Sequence, residues 1–171
     1  MKRIAVAIAA ILAALTALLA VASPAAASVE GYTWKHTAGH WPVVYVENQT
    51  DGHWSLGDAV AGWGSGLRIG SCRSGAGCIR VTTPARGNDA PLGQSFIYAA
   101  GTTIVRVDIQ LNRSDEGQPA AVRKVAAQHE LGHALGLGHN TSYHAIMGPV
   151  AWGYDRINSY ERNVLARIYG F

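Results

Sequence analysis

The stretch HELGHALGLGHN, residues 129–140, constrains this chain more than any other feature. It holds three of the seven histidines of the sequence. His129 and His133 are four residues apart, so on a helix they lie on the same face, one turn apart. Two imidazoles placed in this way can bind one metal ion. The preceding residues predict a long helix that starts near Ala120 and carries this face.

A third ligand is needed, because catalytic zinc usually has three protein ligands and one open position. On a straight helix, His139 would lie about 9 Å beyond His133 along the axis. The helix must therefore end and the chain must turn back, and Gly136 can adopt the positive φ that such a turn requires. Glu130 is rotated by about 100° from His129, where it can reach a water on the ion but not bind the ion. The alternative is a glycine- and histidine-bearing helix end without a metal.

The first 27 residues have the pattern of a secretory signal peptide. Met1-Lys2-Arg3 is a basic start, residues 4–22 are uncharged and almost wholly apolar, and Ala25 and Ala27 form a small-residue cleavage site. We predict cleavage after Ala27 and secretion of residues 28–171, which suffice for one compact core. The alternative is an uncleaved membrane anchor, since the apolar run is just long enough to span a bilayer.

The charges of the secreted part give no sign of a polyanionic partner. Without Lys2 and Arg3, 12 basic residues are balanced by 11 acidic ones, and they are scattered along the chain. No basic stripe indicates nucleic acid binding, and no later segment is apolar enough to span a membrane. We expect a monomer that binds neither nucleic acid nor, after signal cleavage, a membrane.

Cys72 and Cys78, in the segment CRSGAGC, predict a disulfide bond. An even pair in a secreted chain favours pairing, and Gly75 and Gly77 supply the tight turn between the two thiols. Two free thiols remain the alternative. A zinc-binding pair is disfavoured, because the spacing is longer than that of a Cys-x-x-Cys knuckle.

The remaining chain predicts one sheet with helices packed on it, which is the simplest architecture for this order of elements. Ser55 and Asp58 have capping-box spacing at the start of a helix. Asn158 and Glu161 form a second capping box, which opens a final helix that ends near Tyr169. The first helix buries the positions Leu56, Val60, Trp63 and Leu67, and the predicted strands are residues 41–48, 78–83, 94–99 and 103–112.

The pattern HExxHxxGxxH, residues 129–139, resembles the signature of the metzincin metalloproteases. The segment AIMGP, residues 145–149, resembles the turn that places a methionine beneath the metal in that class. Met147 follows His139 by eight residues, a spacing similar to that of the matrixins, the branch of the matrix metalloproteases. VLARIYG, residues 164–170, resembles the last helix of the matrixins. The chain thus looks like a small secreted bacterial member of this branch.

The resemblance implies an α+β fold of the zincin and metzincin type. One mixed, twisted sheet would pack on a long active-site helix, followed by the methionine turn and a C-terminal helix, in a single catalytic domain over residues 28–171. It also implies a secreted zinc endopeptidase that hydrolyses proteins or peptides. One catalytic Zn²⁺ would be bound by His129, His133 and His139. Glu130 would be the general base, and Met147 would be an apolar residue beneath the ligands that does not bind the ion.

The resemblance also suggests where a substrate binds. An extended peptide would add to a free sheet edge at the strand near residues 94–99. Its side-chain pocket would lie between the helix of His133 and Gly148, Pro149 and Val150. Structural calcium stays open, because the clusters that hold extra metals in the matrix metalloproteases are not recognisable here.

Two other functions are compatible with the sequence. One is a secreted zinc-binding or adhesion module without hydrolytic activity, although such a module has no need of Glu130. The other is hydrolysis of a non-peptide amide, for which a strand-like sheet edge would have no purpose. Bound zinc and protein cleavage by the wild type and a Glu130 variant discriminate between these readings.

Overall fold

Six strands and three helices make up the part of the chain that the structure, a computed structural model, describes: residues 31–64, 66–140, 145–148 and 156–171. The predicted signal peptide lies outside these residues. The order is β1 (Thr33–Trp34), β2 (Val44–Gln49), α1 (Leu56–Trp63), β3 (Leu67–Ile69), β4 (Gly77–Thr82), β5 (Gly93–Ala100), β6 (Thr103–Leu111), α2 (Ala120–Ala134) and α3 (Ser159–Tyr169), with a 3-10 turn at Arg113–Asp115.

The strands form one mixed sheet in which parallel pairing dominates. The strand order is β1-β6-β4-β2-β3, and all of these neighbours are parallel. β5 runs antiparallel to β6 along nearly its full length. Because β1 and β4 pair with different halves of β6, β5 takes the other side of that strand and forms an edge of the described sheet. This architecture confirms the predicted fold class.

The core lies between one face of the sheet and the helices. Alternate residues of the strands point inward, so that Val46, Ile79 and Val107 form one buried row across β2, β4 and β6. Val125 and Leu131 of α2 are buried in the same cluster. Burial of each such side chain stabilises the fold by roughly 1.5–3 kcal/mol. The packing fixes α2 against β5 and β6, and α2 carries the first two histidines.

The predicted capping box at the start of α1 is wrong, although the helix itself begins where expected. Ser55 has φ 46° and ψ 42°, in the left-handed region, and its side chain makes no capping hydrogen bond. An N-cap side chain reaches the first-turn amides from an extended conformation, which Ser55 does not have. The preceding Trp54 is fully buried, so packing of the indole, not the hydroxyl, fixes the chain at this point.

The sequence pattern also placed Leu67 on the wrong element. Gly64 (φ 63°) ends α1, and Gly66 (φ 74°) turns the chain, so Leu67 opens strand β3. β3 pairs in parallel with β2, with Leu67 opposite Val44. The two short strands β1 and β3 were not predicted, because two or three residues are too few to show an alternating pattern.

Other local predictions are confirmed. Asn158 and Glu161 form the predicted capping box, with both reciprocal hydrogen bonds present, and α3 ends at Tyr169. Cys72 and Cys78 form a disulfide bond, with their Cα atoms 5.3 Å apart. Among the helices of the described residues, none combines the length and apolar character needed to cross a membrane.

Candidate metal centre

Helix α2 presents His129 and His133 on one face, one turn apart. The centroids of the two rings are 4.7 Å apart and the ring planes are nearly perpendicular. Both side chains are half-buried, whereas the opposite side of the helix packs into the core through Ala127 and Leu131. The helical spacing alone accounts for this pair.

The end of α2 is fixed by hydrogen bonds from distant parts of the chain. The last carbonyl groups of a helix have no partner within it. Here the indole nitrogen of Trp34 donates to the carbonyl of Ala134 at 2.7 Å. The hydroxyl of Tyr169 donates to the carbonyl of Leu135 at 2.9 Å. Residues from β1 and α3 therefore hold the chain at the point where it leaves the helix.

Gly136 makes the turn that returns His139 to the first two histidines. Its φ is 96°, and a Cβ at this position would lie 2.6 Å from the carbonyl oxygen of Tyr32. Glycine is thus required at this position for two reasons: the positive φ of the backbone and the lack of room for a Cβ beside Tyr32. Beyond the turn, the amide of Asn140 donates to the carbonyl of Met147 at 2.8 Å and ties the loop of His139 to the next turn. The predicted role of Gly136 as the turn is the one it has in the structure.

The three histidines converge through their Nε2 atoms. The distances are 3.1 Å between His129 and His133, 3.1 Å between His129 and His139, and 3.2 Å between His133 and His139. Nitrogens bound to one tetrahedral zinc ion at 2.0–2.1 Å lie about 3.3 Å apart. The triangle therefore has the size that a single zinc ion requires, with one coordination position left for another ligand.

Hydrogen bonds on the far side of two rings define which nitrogen faces the centre of the triangle. Nδ1 of His129 lies 2.7 Å from the carbonyl oxygen of Ile146, and Nδ1 of His133 lies 2.9 Å from that of Leu137. A carbonyl only accepts, so each Nδ1 carries the proton and each neutral ring leaves a lone pair on Nε2. Lone pairs that point at one another repel, and a cation between them relieves this. The donor set therefore fits zinc.

The electrostatic environment favours the neutral form of His133 and of His139. Burial, with the neighbouring His129 adding to it, lowers the pKa of His133 to about 3. Burial also lowers the pKa of His139, and His129 again contributes. Neutral imidazole is the form that binds metals, so these two rings need not lose a proton to bind one at neutral pH.

Glu130 is buried beside the triangle and contacts strand β5. It is only 6% exposed. The hydroxyl of Ser95 lies 2.6 Å from its Oε2 and 3.1 Å from its backbone oxygen, and the single proton is best placed for the carboxylate. Burial raises the pKa of Glu130 to about 7, while the Ser95 hydrogen bond and the charge of Arg86 oppose this rise. A carboxyl group with such a pKa can exchange protons near neutral pH.

Ser95 and Gly93 of β5 contact Glu130, and neither residue was predicted from the sequence to lie at the site. A Cβ on Gly93 would lie 2.6 Å from Cγ of Glu130, so the glycine makes room for the acid. The contact between Ser95 and Glu130 spans 35 positions of the chain. A hydroxyl within the predicted edge strand was the only sign of it in the sequence.

Met147 lies on a buried turn below the histidines. It is 1% exposed. A Cβ on Gly132 would collide with its sulfur and would lie 3.0 Å from the indole of Trp63. Gly132 therefore lets the methionine turn approach α2 closely, which explains a glycine inside a helix. Of the predicted pocket residues, Gly148 is buried beside Met147, whereas Pro149 and Val150 lie outside the described residues.

A cavity of about 370 Å³ lies between the loop of His139 and helix α3. It is lined by Leu137 and Asn140 on one side and by Val164 and Ile168 on the other. Gly148, which is the one described residue of the predicted substrate pocket, does not line this cavity, and that pocket stays a prediction.

A second group of possible ligand atoms was not recognised in the sequence. Atoms of Asp51, His53 and Glu116 lie within 4.8 Å of one another near the surface. A hydrogen bond between the two carboxyl groups raises the pKa of Glu116 and lowers that of Asp51. Nε of Arg113 lies 3.9 Å from each carboxyl group, so this cationic side chain accounts for their closeness without a metal ion.

These features together define a class of protein. A mixed sheet lies over a long helix with two histidines, a glycine turn brings back a third, and a buried methionine turn lies beneath them. This is the arrangement of the metzincins, a class of zinc metalloproteases.

Comparison with known proteins names the family within that class. The model of the peptidase family described as Matrixin matches residues 17–169, which is most of the chain. The protein belongs to the matrixin family, and in general terms it is a metalloprotease that acts on proteins or peptides. No curated protein matches the sequence.

Proposed function

We propose that this protein is a secreted zinc endopeptidase in which His129, His133 and His139 bind one zinc ion. The observation that carries the proposal is the triangle of Nε2 atoms, with sides of 3.1–3.2 Å. The predicted signal peptide supports secretion, and the Cys72–Cys78 disulfide is compatible with an oxidising compartment.

Glu130 is proposed as the general base. When bound, zinc lowers the pKa of a coordinated water and polarises the substrate carbonyl. Glu130 takes a proton from the attacking water and passes it to the leaving nitrogen. In the zinc-free protein its pKa is about 7, within the range in which a carboxyl group transfers protons at neutral pH. Ser95 donates a hydrogen bond to Oε2, and Oε1 is proposed as the oxygen that accepts the proton.

Strand β5 is proposed as the binding site for the peptide backbone of the substrate. β5 pairs with β6 on one side, and on its other side no described strand pairs with it. Residues 93–98 are all partly exposed, as expected for an open edge. Since Ser95 of the same strand contacts Glu130, a peptide added there lies beside the general base. An extended chain gains backbone hydrogen bonds by joining such an edge.

Met147 is proposed to support the ligands without binding the ion. Its sulfur packs against Gly132 on α2, and the carbonyl of Ile146, the residue before it, accepts the hydrogen bond from His129. The pocket for a substrate side chain is proposed to lie between α2 and Gly148, Pro149 and Val150.

The experiment compares the wild-type protein with Glu130→Gln and with Glu47→Gln, a control on the opposite face of the sheet. Each full-length protein is expressed in a host that exports it, and bound zinc and cleavage of a denatured protein are measured with and without a chelator. We expect one zinc ion per chain in all three. Cleavage should occur in the wild type and the control, stop with chelator, and fall by at least about 100-fold in Glu130→Gln.

Two results would contradict the proposal. Zinc-loaded wild type that cleaves no protein substrate would leave a zinc-binding module without hydrolytic activity. Cleavage by Glu130→Gln at the wild-type rate would remove Glu130 from the mechanism. Mass spectrometry of the exported protein tests the cleavage site, for which we expect a chain that begins at Ser28.

A further inference from the structure

Glu161 is a buried acid that the proposed mechanism does not use. It lies in the first turn of α3 and is 1% exposed. Its Oε2 accepts a hydrogen bond from the amide of Asn158 at 2.8 Å, and its Oε1 accepts one from the amide of Met147 at 2.7 Å. Burial of a carboxylate is unfavourable unless both oxygens are bonded, and here two backbone amides fulfil that need.

Only one of these two bonds belongs to the helix cap. A capping box needs the bond to Asn158 and the reciprocal bond from the amide of Glu161 to the side chain of Asn158, at 3.0 Å. The bond to Met147 reaches 14 positions back in the chain, to the turn beneath the histidines. Helix capping therefore does not account for the bond between this carboxylate and Met147.

The amide of Met147 belongs to the same peptide group as the carbonyl of Ile146. That carbonyl accepts the hydrogen bond from Nδ1 of His129 at 2.7 Å. Carboxylate, amide, carbonyl and imidazole thus form one continuous series of hydrogen bonds. A peptide group is delocalised, so an acceptor on its N–H makes its oxygen a better acceptor in turn.

We propose that Glu161 is a positioning residue for His129, which it orients and makes more basic through the Ile146–Met147 peptide group. This inference rests on the proposed zinc site. A carboxylate behind a metal-binding histidine fixes the ring and strengthens it as a ligand. In this protein the carboxylate of Glu161 does not touch the ring of His129, and the Ile146–Met147 peptide group connects the two. Helix α3, far along the chain from α2, is thereby coupled to the metal affinity of the site.

The test compares Glu161→Gln with Asn158→Ala. Glutamine keeps the size of the side chain, removes its charge and replaces one acceptor oxygen with a donor. Asn158→Ala removes the side-chain half of the same capping box but leaves the bond to Met147 in place. The zinc dissociation constant of each full-length protein is measured by competition with a chelating dye, together with its thermal unfolding midpoint.

We expect Glu161→Gln to raise the zinc dissociation constant by about 10-fold, within the range found for partners of metal ligands. Asn158→Ala should lower the unfolding midpoint and leave zinc affinity unchanged. The proposal would be overturned if Glu161→Gln bound zinc as tightly as the wild type, or if both variants lost the same amount of zinc affinity. If the wild type itself binds no zinc, the proposed metal site fails too, so the two failures are distinguishable.

A second measurement does not depend on the stability of a variant. The sequence has two methionines, and Met1 carries an amine, so ¹⁵N-methionine labelling gives a single backbone amide signal, that of Met147. We expect this proton to be shifted downfield by the carboxylate and to move further downfield when zinc binds. If the signal of the wild type does not move when zinc binds, the proposal is overturned.

Discussion

Glu130 and Ser95 are 35 positions apart, yet the hydroxyl of Ser95 lies 2.6 Å from Oε2 of the acid. At the scale of single residues, this bond decides how the carboxylate is aimed. A hydrogen bond to a charged group contributes roughly 1.5–3 kcal/mol. Ser95→Ala is therefore expected to lower kcat about tenfold and to leave zinc content unchanged.

Ser95→Thr serves as the matched control for this prediction, since threonine keeps the hydroxyl. Steady-state cleavage of a fluorogenic peptide gives kcat and KM for both variants. Threonine should restore most of the rate. A rise in KM with unchanged kcat would show that Ser95 contacts the substrate instead of positioning Glu130.

The raised pKa of Glu130 predicts how the zinc-free protein responds to pH. Its pKa rises from an ordinary value of 4.5 to about 7 in the fold, so the folded state binds more protons than the unfolded state between these values. The contribution of Glu130 to the free energy of unfolding is then fully present below about pH 4.5 and is lost as the pH rises through 7. Glu130→Gln removes this loss, and at pH 8 the zinc-free variant should be more stable than the wild type by about 3 kcal/mol.

Denaturant unfolding from pH 5 to pH 8, with chelator present, measures this difference. The lowered pKa of His133 acts in the opposite direction: its stability is present above pH 6.5 and is lost as the pH falls toward 3. The wild type and Glu130→Gln both lose the stability that depends on His133. The difference between their free energies of unfolding therefore reports the contribution of Glu130 alone. Parallel stability curves for the two proteins would show that the acid is not held at a raised pKa.

At the scale of elements, the end of α2 determines whether the third histidine reaches the first two. Gly136→Ala places a side chain in the left-handed region, at about 1–2 kcal/mol, and sets its Cβ 2.6 Å from the carbonyl oxygen of Tyr32. We expect a loss of at least about 2 kcal/mol in stability, and weaker zinc binding because His139 is displaced. Calorimetry and a zinc titration measure the two effects.

Gly57→Ala is the matched control for the turn. Gly57 lies in α1, and a Cβ there would meet no atom within 4 Å. Alanine in an open helical position should stabilise the protein by roughly 0.5–1 kcal/mol. If Gly136→Ala were tolerated as well as Gly57→Ala, the account of the turn would be wrong.

The long elements could be predicted from local pattern, and the short ones could not. α2, β6 and the capping box of α3 show clear periodicity or capping signals in the sequence. β3 exists because parallel pairing with β2 supplies its partner, and three residues carry no pattern. Leu67 has helical spacing from Trp63, but two glycines with positive φ separate them, and turn geometry overrides spacing.

At the scale of the whole molecule, the candidate site combines parts that the sequence predicted with parts that only folding brings together. The three histidines and Gly136 lie within eleven residues, so their spacing indicated a shared metal ion. Ser95 on β5, Tyr169 on α3 and Trp34 on β1 each bind to α2 or its end from a different region of the chain. These contacts depend on the sheet order, which no local pattern contains.

The whole-molecule account depends on one zinc ion held by three imidazoles. X-ray absorption at the zinc edge, with metal content measured on the same sample, tests this most directly. The account predicts one zinc per chain with three imidazole nitrogens at about 2.0–2.1 Å, and loss of one of them in His139→Ala but not in His40→Ala, a control at an exposed histidine. A protein purified with zinc available that holds none, or a His139→Ala spectrum identical to that of the wild type, would contradict it.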